Sequence, residues 1–311
     1  MGGMYNSMVG FLFAGQGSQY IGMGKELYES FPESRVVFEK AEAALGFNLK
    51  QRCFEGPQDS LKLTSISQPA ILTVSIAAFE AFKAKVNIKP VYMAGLSLGE
   101  YTTLIAAGAL SLEDGLLLVR KRGEIMELAA QKYPGKMAAV LDLGLDKLKE
   151  ICKSSGAEIA NLNSPGQVVI SGKAEAVDKA MDLSLEAGAK RVIALEVSGG
   201  FHSSLMKEAA QELKRVLDAA HFSSLNVPVI SNYTARPEQD VPEIKDNLVH
   251  QMYSSVRWEE SMRFMLSHGV KKFIEFGPGK VLKGLMRRID ADAQVTGVEN
   301  KADILRLNEV V

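Results

Sequence analysis

Residues 90–109 read PVYMAGLSLGEYTTLIAAGA, and this stretch decides the fold class. Residues 90–94 form a short apolar run typical of a buried strand, and residues 98–109 are typical of a helix. The motif Gly-Leu-Ser-Leu-Gly at 95–99 joins them and supplies small residues for a sharp turn. A strand that turns directly into a helix is the repeating unit of α/β proteins, so we predict a parallel central sheet.

The same alternation of strands and helices occurs on both sides of this stretch. Upstream, residues 9–14 predict a buried strand, and residues 33–45 and 69–84 predict helices. Residues 115–131 predict another helix directly downstream. After residue 198 the predicted elements are helix 204–219, strand 227–231, helix 258–267, strand 272–276 and helix 280–289.

Between residues 135 and 198 the order of predicted elements is different. The predicted elements are strand 136–141, helix 146–153, strands 158–162 and 167–171, helix 174–187 and strand 191–197. This βαββαβ order is typical of a ferredoxin-like unit. We therefore predict an α/β-hydrolase-like large domain formed by residues 9–132 and 199–300, interrupted by a ferredoxin-like small domain at residues 133–198.

The composition fits a folded globular protein and excludes several other classes. The chain has 311 residues, and its 36 Lys and Arg nearly balance 37 Asp and Glu, so it lacks the overall basic charge that binds nucleic acid or an anionic membrane, and any charged partner site must be local. No uninterrupted apolar run reaches the roughly 18 residues of a membrane helix. Cys53 and Cys152 form no Cys-x-x-Cys pair, and no two histidines have metal-ligand spacing. We therefore expect no disulfide framework, no metal site and no membrane or nucleic-acid partner.

Ser97 occupies the position of a nucleophile. In a Gly-x-Ser-x-Gly turn the serine hydroxyl is exposed, and the following helix N-terminus directs the Leu98 N–H toward an oxyanion. Of the four histidines, His202 lies in a glycine-bearing loop after a predicted strand, where active-site groups of α/β sheets collect. The other three histidines fit surface or helix-capping roles. We predict that His202 activates Ser97; the alternative is a glycine-rich turn with an inert serine.

Arg122 and the loop at 15–19 are two further candidates. The helical neighbours of Arg122 are apolar, so it is either one member of a structural ion pair or the site of a substrate carboxylate. The loop Gly-Gln-Gly-Ser-Gln at 15–19 fails both nucleotide patterns, because Tyr20 replaces a required glycine and Met23 a required lysine. Its backbone N–H groups remain suited to an oxyanion.

Six motifs occur in a fixed order along the chain. They are Phe-Ala-Gly-Gln-Gly-Ser-Gln at 13–19, Gly-Leu-Ser-Leu-Gly-Glu at 95–100, Arg-Gly at 122–123, Phe-His-Ser at 201–203, Gln251, and Gly-Pro-Gly-Lys at 277–280. In this order, and around a ferredoxin-like insertion, they resemble the malonyl-CoA:acyl carrier protein transacylases. The resemblance runs from about residue 9 to residue 298.

The resemblance implies a role for each site residue. Ser97 would be the nucleophile and His202 its base, and the backbone carbonyl of Gln251 would orient the imidazole in place of a triad acid. Gln16 and Leu98 would supply the oxyanion N–H groups.

The resemblance also implies a reaction. Malonyl would pass from malonyl-CoA, through a malonyl-serine, to the phosphopantetheine thiol of holo acyl carrier protein, in a ping-pong sequence that supplies fatty acid synthesis without a cofactor. Arg122 would hold the malonyl carboxylate. Because carrier proteins are typically acidic, a basic face is expected to dock them; its residues are Lys280, Lys283, Arg287 and Arg288.

Three alternatives stay open at this point. They are a stand-alone acyltransferase that loads a polyketide synthase carrier protein, a serine hydrolase of acyl thioesters, and an inactive module that binds carrier proteins. Leu96 stands where bacterial members commonly have histidine, and plastid-type members resemble this chain there. Residues 1–8 lack a basic leader segment. We expect a monomer in the bacterial cytoplasm, or in the plastid stroma if a transit peptide has been removed.

Overall fold

The computed structural model describes residues 8–310, with side chains described through residue 307. Residues 1–7, which hold most of the segment expected to lack a leader, lie outside the described residues. The strands are β1 (Val9–Phe13), β2 (Tyr92–Gly95), β3 (Gly135–Leu141), β4 (Glu158–Ser164), β5 (Gln167–Lys173), β6 (Arg191–Ala194), β7 (Val229–Ile230), β8 (Lys272–Phe276) and β9 (Gln294–Val298).

The helices connect these strands and cover the sheets. They are α1 (Lys25–Ser30), α2 (Pro32–Leu45), α3 (Leu49–Phe54), α4 (Thr64–Lys85), α5 (Leu98–Ala106), α6 (Leu112–Lys132), α7 (Leu145–Ser155), α8 (Ala174–Glu186), α9 (Lys207–Ala219), α10 (Val241–Tyr253), α11 (Trp258–Ser267), α12 (Val281–Ile289) and α13 (Lys301–Val310). Two 3₁₀-helices cover Gln58–Lys62 and Ser204–Met206.

The central sheet is parallel and has the strand order β7-β2-β1-β8-β9. Every residue of β1 is buried, as expected for a strand covered by helices on both faces. Phe13 pairs in register with Gly95 on one side and with Phe276 on the other. The carboxyl end of β1 therefore lies beside the Gly-x-Ser-x-Gly turn.

Helix α4 supplies much of the core above this sheet. Phe79 and Phe82 on α4 pack edge-on against Phe276, with ring centroids 5.5 and 5.2 Å apart. By length and composition alone α4 could cross a membrane, but 83% of its apolar window is buried inside the protein. Its apolar surface therefore forms the core of the fold.

The second sheet is antiparallel and has the strand order β4-β5-β3-β6. Helices α7 and α8 bury their apolar faces with one face of this small sheet, around Val140, Ile170 and Val177. This is the strand order of a ferredoxin-like unit. The predicted fold class, a parallel α/β sheet interrupted by a βαββαβ unit, is confirmed.

A short seam joins the small sheet to the rest of the chain. The backbone N–H of Leu162 in β4 donates to the Val256 carbonyl at 2.9 Å, and the Val256 N–H donates to the Ala160 carbonyl at 2.8 Å. The Ser255 hydroxyl also donates to the Ile159 carbonyl. The segment that follows α10 thus pairs with the outer edge of β4.

Several predicted boundaries were wrong. Helix α4 begins five residues before the predicted start, because Pro69 removes only the bond that its own N–H would have donated to the carbonyl of Ser65. The predicted helix 204–219 is a 3₁₀-turn followed by α9, and the predicted strand 191–197 ends at Ala194. Cys53 and Cys152 are both free and buried.

Candidate active site

Ser97 lies in a strained turn between β2 and α5. Its φ of 52° and ψ of −100° fall outside the usual regions for a residue with a side chain, as in a nucleophile elbow. A Cβ on Gly95 would lie 2.0 Å from the backbone carbon of Gly99, and a Cβ on Gly99 would lie 2.3 Å from the Phe13 oxygen. Neither motif position can hold a larger residue, because the backbone of a neighbouring segment occupies the space that a Cβ would need.

His202 lies beside Ser97, as the sequence predicts. The Ser97 Oγ is 2.8 Å from His202 Nε2, and His202 Nδ1 is 2.7 Å from the Gln251 backbone oxygen. Since a carbonyl only accepts, Nδ1 carries the proton and Nε2 is free to accept one from Ser97. Burial, with the nearby charge of Arg122, lowers the pKa of His202 to about 4, against a weaker opposing effect of the Gln251 carbonyl. The imidazole is therefore neutral at neutral pH.

The two predicted oxyanion donors belong to adjacent segments. Leu98 is the first residue of α5, and the N–H groups of a first helical turn have no acceptor within the helix. Within the part of the chain that the structure describes, neither the Leu98 N–H nor the Gln16 N–H donates a hydrogen bond. A Cβ on Gly15 would lie 2.4 Å from the Leu96 oxygen, so the loop that carries Gln16 lies directly against the serine turn.

Arg122 is wholly buried beside the nucleophile. One terminal nitrogen donates to Gln68 Oε1 at 2.8 Å; the other donates to Gln251 Oε1 at 3.0 Å and to Ser97 Oγ at 3.2 Å. The guanidinium also lies over the ring of Tyr101, 5.1 Å from its centroid. Among the described residues no carboxylate lies within 4.0 Å of Arg122. The structure thus favours the substrate-carboxylate alternative over the structural ion pair.

Four polar groups of the site were not predicted from the sequence. The Gln68 side chain links Arg122 to Gln16, whose Oε1 lies 3.4 Å from Gln68 Nε2. Asn232 accepts the Ser97 N–H at 2.6 Å, and Glu100 and the Gln251 side chain lie beneath the turn. Asn232 follows a strand at the carboxyl edge of the sheet, so its position was a usable signal. Gln68, directly before the long apolar stretch of α4, was another.

An open cavity of about 460 Å³ lies next to His202. It is bounded on one side by α7 and the start of β4 and on the other by the segment that follows α10. Its lining residues are Lys149, Cys152, Ala157, Glu158, Ile159, His202, Tyr253, Ser254 and Ser255. The cavity therefore opens to solvent next to His202.

The predicted basic face is only partly free. Lys280 lies 3.7 Å from Glu299, and Arg288 lies 3.6 Å from Asp142. Lys283 and Arg287 are exposed on α12, and within the described residues no carboxylate lies within 4.0 Å of either. Across the same residues, no group of three or more His, Cys, Asp or Glu is arranged to hold a metal ion.

A sequence model described as "acyl transferase domain" matches residues 10–300. The chain belongs to the acyl transferase family. Among its acyl transferase relatives, a malonyl CoA-acyl carrier protein transacylase of Bacillus subtilis is 48% identical over 303 residues, covering 96% of this chain and 95% of the relative.

Solved acyl transferase structures share the whole fold. An acyl-carrier-protein S-malonyltransferase from Bartonella henselae superposes with a TM-score of 0.94 at 41% identity, covering 97% of this chain and 99% of the other. A malonyl-transacylase in complex with its holo type II PKS acyl-carrier protein superposes with a TM-score of 0.96 at 37% identity, covering 98% and 100%. The acyl transferase fold thus includes both sheets.

Proposed function

We propose that this acyltransferase moves the malonyl group from malonyl-CoA to the phosphopantetheine thiol of an acyl carrier protein, and so supplies fatty acid synthesis. One observation carries the proposal: the buried Arg122 guanidinium lies 3.2 Å from the Ser97 hydroxyl, and among the residues that the structure describes no carboxylate lies within 4.0 Å of it. A short acyl group on Ser97 that ends in a carboxylate would place that carboxylate at Arg122, where the planar fork suits two-point contact. The names of the relatives point to the same acyl group.

The first half-reaction loads the serine. His202 Nε2 takes the Ser97 proton as Oγ attacks the thioester carbon, and the Leu98 and Gln16 N–H groups hold the oxyanion. The carbon–sulfur bond then breaks, and the departing coenzyme A sulfur receives the proton from His202. The Gln251 carbonyl stabilises the imidazolium that exists between these two proton transfers.

The second half-reaction runs through the same groups in the opposite direction. The carrier's pantetheine thiol gives its proton to His202 as its sulfur attacks the malonyl-serine carbon. The carbon–oxygen bond breaks, and Ser97 Oγ recovers the proton from the imidazolium. One site thus serves the two acyl acceptors in turn, which gives ping-pong kinetics.

We infer a path for the thioester arm from the proposed domain organisation. A large domain of residues 9–132 and 199–300 carries Ser97, Arg122 and His202, and a small domain of residues 133–198 forms the opposite wall of the cavity beside His202. The phosphopantetheine arm enters along this boundary. The reaction needs no cofactor and no metal, and we infer a monomer that acts in the bacterial cytoplasm, or in the plastid stroma if a transit peptide has been removed.

Docking of the carrier protein is proposed to use the basic face, and charge reversal tests it. We expect Lys283→Glu combined with Arg287→Glu to lower kcat/KM for the carrier protein about tenfold at low salt, because both side chains are exposed and neither has a carboxylate within 4.0 Å in the described part of the chain. The loss should shrink as salt rises. The measurement is malonyl transfer to carrier protein over a series of salt concentrations.

Two controls accompany this double variant. Transfer to free pantetheine, which has no charged surface to dock, should stay within twofold of the unmodified protein. Lys85→Glu, at the end of α4 that leads to the amino edge of the central sheet, should leave carrier transfer unchanged. An equal loss with pantetheine, or a loss that salt does not relieve, would remove the docking assignment.

A polyketide carrier protein is the second candidate acceptor. A malonyl-transacylase that shares the fold over nearly the full chain was solved with its type II PKS acyl-carrier protein, so this acceptor stands as the second candidate. The donor chemistry is the same in both cases. Comparing kcat/KM for a fatty-acid carrier with that for a polyketide carrier decides between them.

Intact-protein mass after brief mixing with malonyl-CoA, without carrier protein, tests the proposal. We expect a malonyl adduct on the unmodified protein and none on Ser97→Ala, because Ser97 is the one side chain of this protein that the mechanism acylates. Accumulation of free malonate without an adduct would establish a hydrolase instead. If neither an adduct nor turnover is observed, the protein is an inactive module that binds carrier proteins, or it uses a different acyl donor.

A further inference from the structure

Glu100 is a wholly buried carboxyl group three residues after the nucleophile. Its Oε2 accepts two hydrogen bonds, from Gln251 Nε2 at 2.8 Å and from the Asn232 backbone N–H at 3.0 Å. Its Oε1 has no hydrogen-bond partner within the described residues. The mechanism above gives this group no task, although both of its donors come from residues that contact Ser97.

The first of these donors fixes the Gln251 amide. Gln251 Nε2 donates to Glu100 and also to the Ser97 carbonyl at 3.0 Å, so this nitrogen faces two oxygens. An amide turned by 180° would place its oxygen against both of them. Gln251 Oε1 is thereby directed to Arg122, from which it accepts a bond of 3.0 Å.

The second donor belongs to a clamp on the serine turn. Asn232 Oδ1 accepts the Ser97 N–H at 2.6 Å, and Asn232 Nδ2 donates to the Gly95 carbonyl at 2.8 Å. Glu100 holds the Asn232 backbone from below. The oxygen of one carboxyl group therefore supports both the strained turn and the partner of the guanidinium.

We propose that Glu100 is a positioning residue for acyl-group selection: its Oε2 sets the orientation of the Gln251 amide, and the amide holds Arg122 where the carboxylate of the acyl donor binds. The inference rests on the proposed roles of Ser97 and Arg122. It assigns the effect to an acceptor oxygen in a fixed place and not to negative charge.

Two observations favour the oxygen over the charge. Glu100 makes no ion pair with Arg122 within 4.0 Å, and the Gln251 amide lies between them. Burial raises the pKa of Glu100 to about 7, against the opposing effects of Gln251, Asn232 and Arg122. Both protonation states are therefore accessible near neutral pH, and both keep an oxygen that accepts the two bonds.

Three substitutions separate geometry from charge. Glu100→Gln keeps an acceptor oxygen in place and removes the charge, Glu100→Asp keeps the charge and withdraws the oxygen by one methylene, and Glu100→Leu removes both. The readout is the ratio of kcat/KM for malonyl-CoA to kcat/KM for acetyl-CoA, because acetyl has no carboxylate for Arg122. Acetyl transfer by the same variant thus controls for a general loss of folded, active protein.

We expect Glu100→Gln to keep this ratio within about threefold of the unmodified protein, and Glu100→Asp and Glu100→Leu to lower it about tenfold, the effect of one hydrogen bond to a charged group. Acetyl transfer should also fall in Glu100→Asp and Glu100→Leu, because both weaken the bond from Glu100 to the Asn232 backbone, and Asn232 holds the Ser97 turn. If Glu100→Leu does not fold, the ratios of Glu100→Gln and Glu100→Asp still separate the effect of the oxygen position from that of the charge.

Coupling to Gln251 is the second readout. Gln251→Leu keeps the backbone carbonyl for His202 and removes the amide, so it should lower the same ratio about tenfold. Adding Glu100→Leu to Gln251→Leu should then lower the ratio no further, because both act on Arg122 through one amide.

Three results would overturn the inference. They are a loss in Glu100→Gln as large as in Glu100→Leu, equal losses for both acyl donors in Glu100→Leu, and additive effects in the double variant. Failure of the proposed function gives a different result: the unmodified protein forms no malonyl adduct, or Arg122→Ala leaves the ratio unchanged. Either result would also overturn the inference about Glu100.

Discussion

Replacing His202 with alanine should slow acylation of Ser97 by malonyl-CoA about 10²- to 10⁴-fold, the range that a positioned general base contributes. The reason lies in the geometry: Nε2 is 2.8 Å from the Ser97 oxygen, and no other neutral base contacts that hydroxyl within the described residues. Without the imidazole, the serine proton has no acceptor as the carbon–oxygen bond forms. Single-turnover formation of the malonyl adduct, followed by intact mass, gives the rate.

His268→Ala is the matched control. His268 caps the end of α11, where its Nδ1 lies 2.8 Å from the Phe264 oxygen, so its loss should leave acylation within twofold. The pH profile of the unmodified protein is a second check. Because the pKa of His202 is lowered to about 4, the base is neutral above that pH, and acylation should be level from pH 6 to 8 and fall toward pH 4. Near-normal acylation in His202→Ala would place the base elsewhere.

Arg122→Ala should lower kcat/KM for malonyl-CoA about 10²- to 10³-fold and lower that for acetyl-CoA by less than tenfold. Truncating one partner of a buried charged contact costs about 2 to 5 kcal/mol, and only the malonyl group offers a carboxylate to that contact. The acetyl reaction still loses something, because Arg122 also donates to the Ser97 hydroxyl at 3.2 Å. Steady-state transfer of each acyl group to carrier protein measures both values.

Arg120→Ala is the matched control on the same helix. Arg120 is partly exposed and pairs with Glu124 at 3.1 Å and with the Leu45 carbonyl at 2.6 Å, away from the serine. Its loss should change neither acyl donor by more than twofold. Equal losses of malonyl and acetyl transfer in Arg122→Ala would show that Arg122 supports the structure of the site and does not select the acyl group.

The fold was predictable where the order of apolar and polar residues along the sequence reflects which side chains are buried. The strand β1 is a continuous apolar run, and the glycines at 95 and 99 indicate a sharp turn from a strand into a helix. Because this strand–turn–helix unit is typical of α/β proteins, the parallel sheet could be predicted. The edge strand β9 was missed, because Gln294–Val298 is only partly buried and lacks an apolar run. The short helices α1 and α3 were missed for a related reason, since six residues carry little periodicity.

The site was predictable only in part. Ser97 and Leu98 belong to one local turn, and His202 stood out as the one histidine in an active-site type of loop. The side chains of Gln68, Asn232 and Gln251 come from distant parts of the chain, and an amide gives no spacing pattern of its own. Their roles depend on which oxygens and nitrogens meet after folding, and only the three-dimensional arrangement contains that information.

The strand order also has a consequence for how the chain is made. The central strand of the parallel sheet, β1, hydrogen-bonds to β2 on one side and on the other to β8, which leaves the ribosome almost a whole chain later. The elements of the small sheet are contiguous, so they can fold during synthesis while one edge of β1 waits unpaired. An open edge on the sequence VGFLF is a template for pairing with other chains. The central sheet is therefore the part of this fold most exposed to wrong pairing during synthesis.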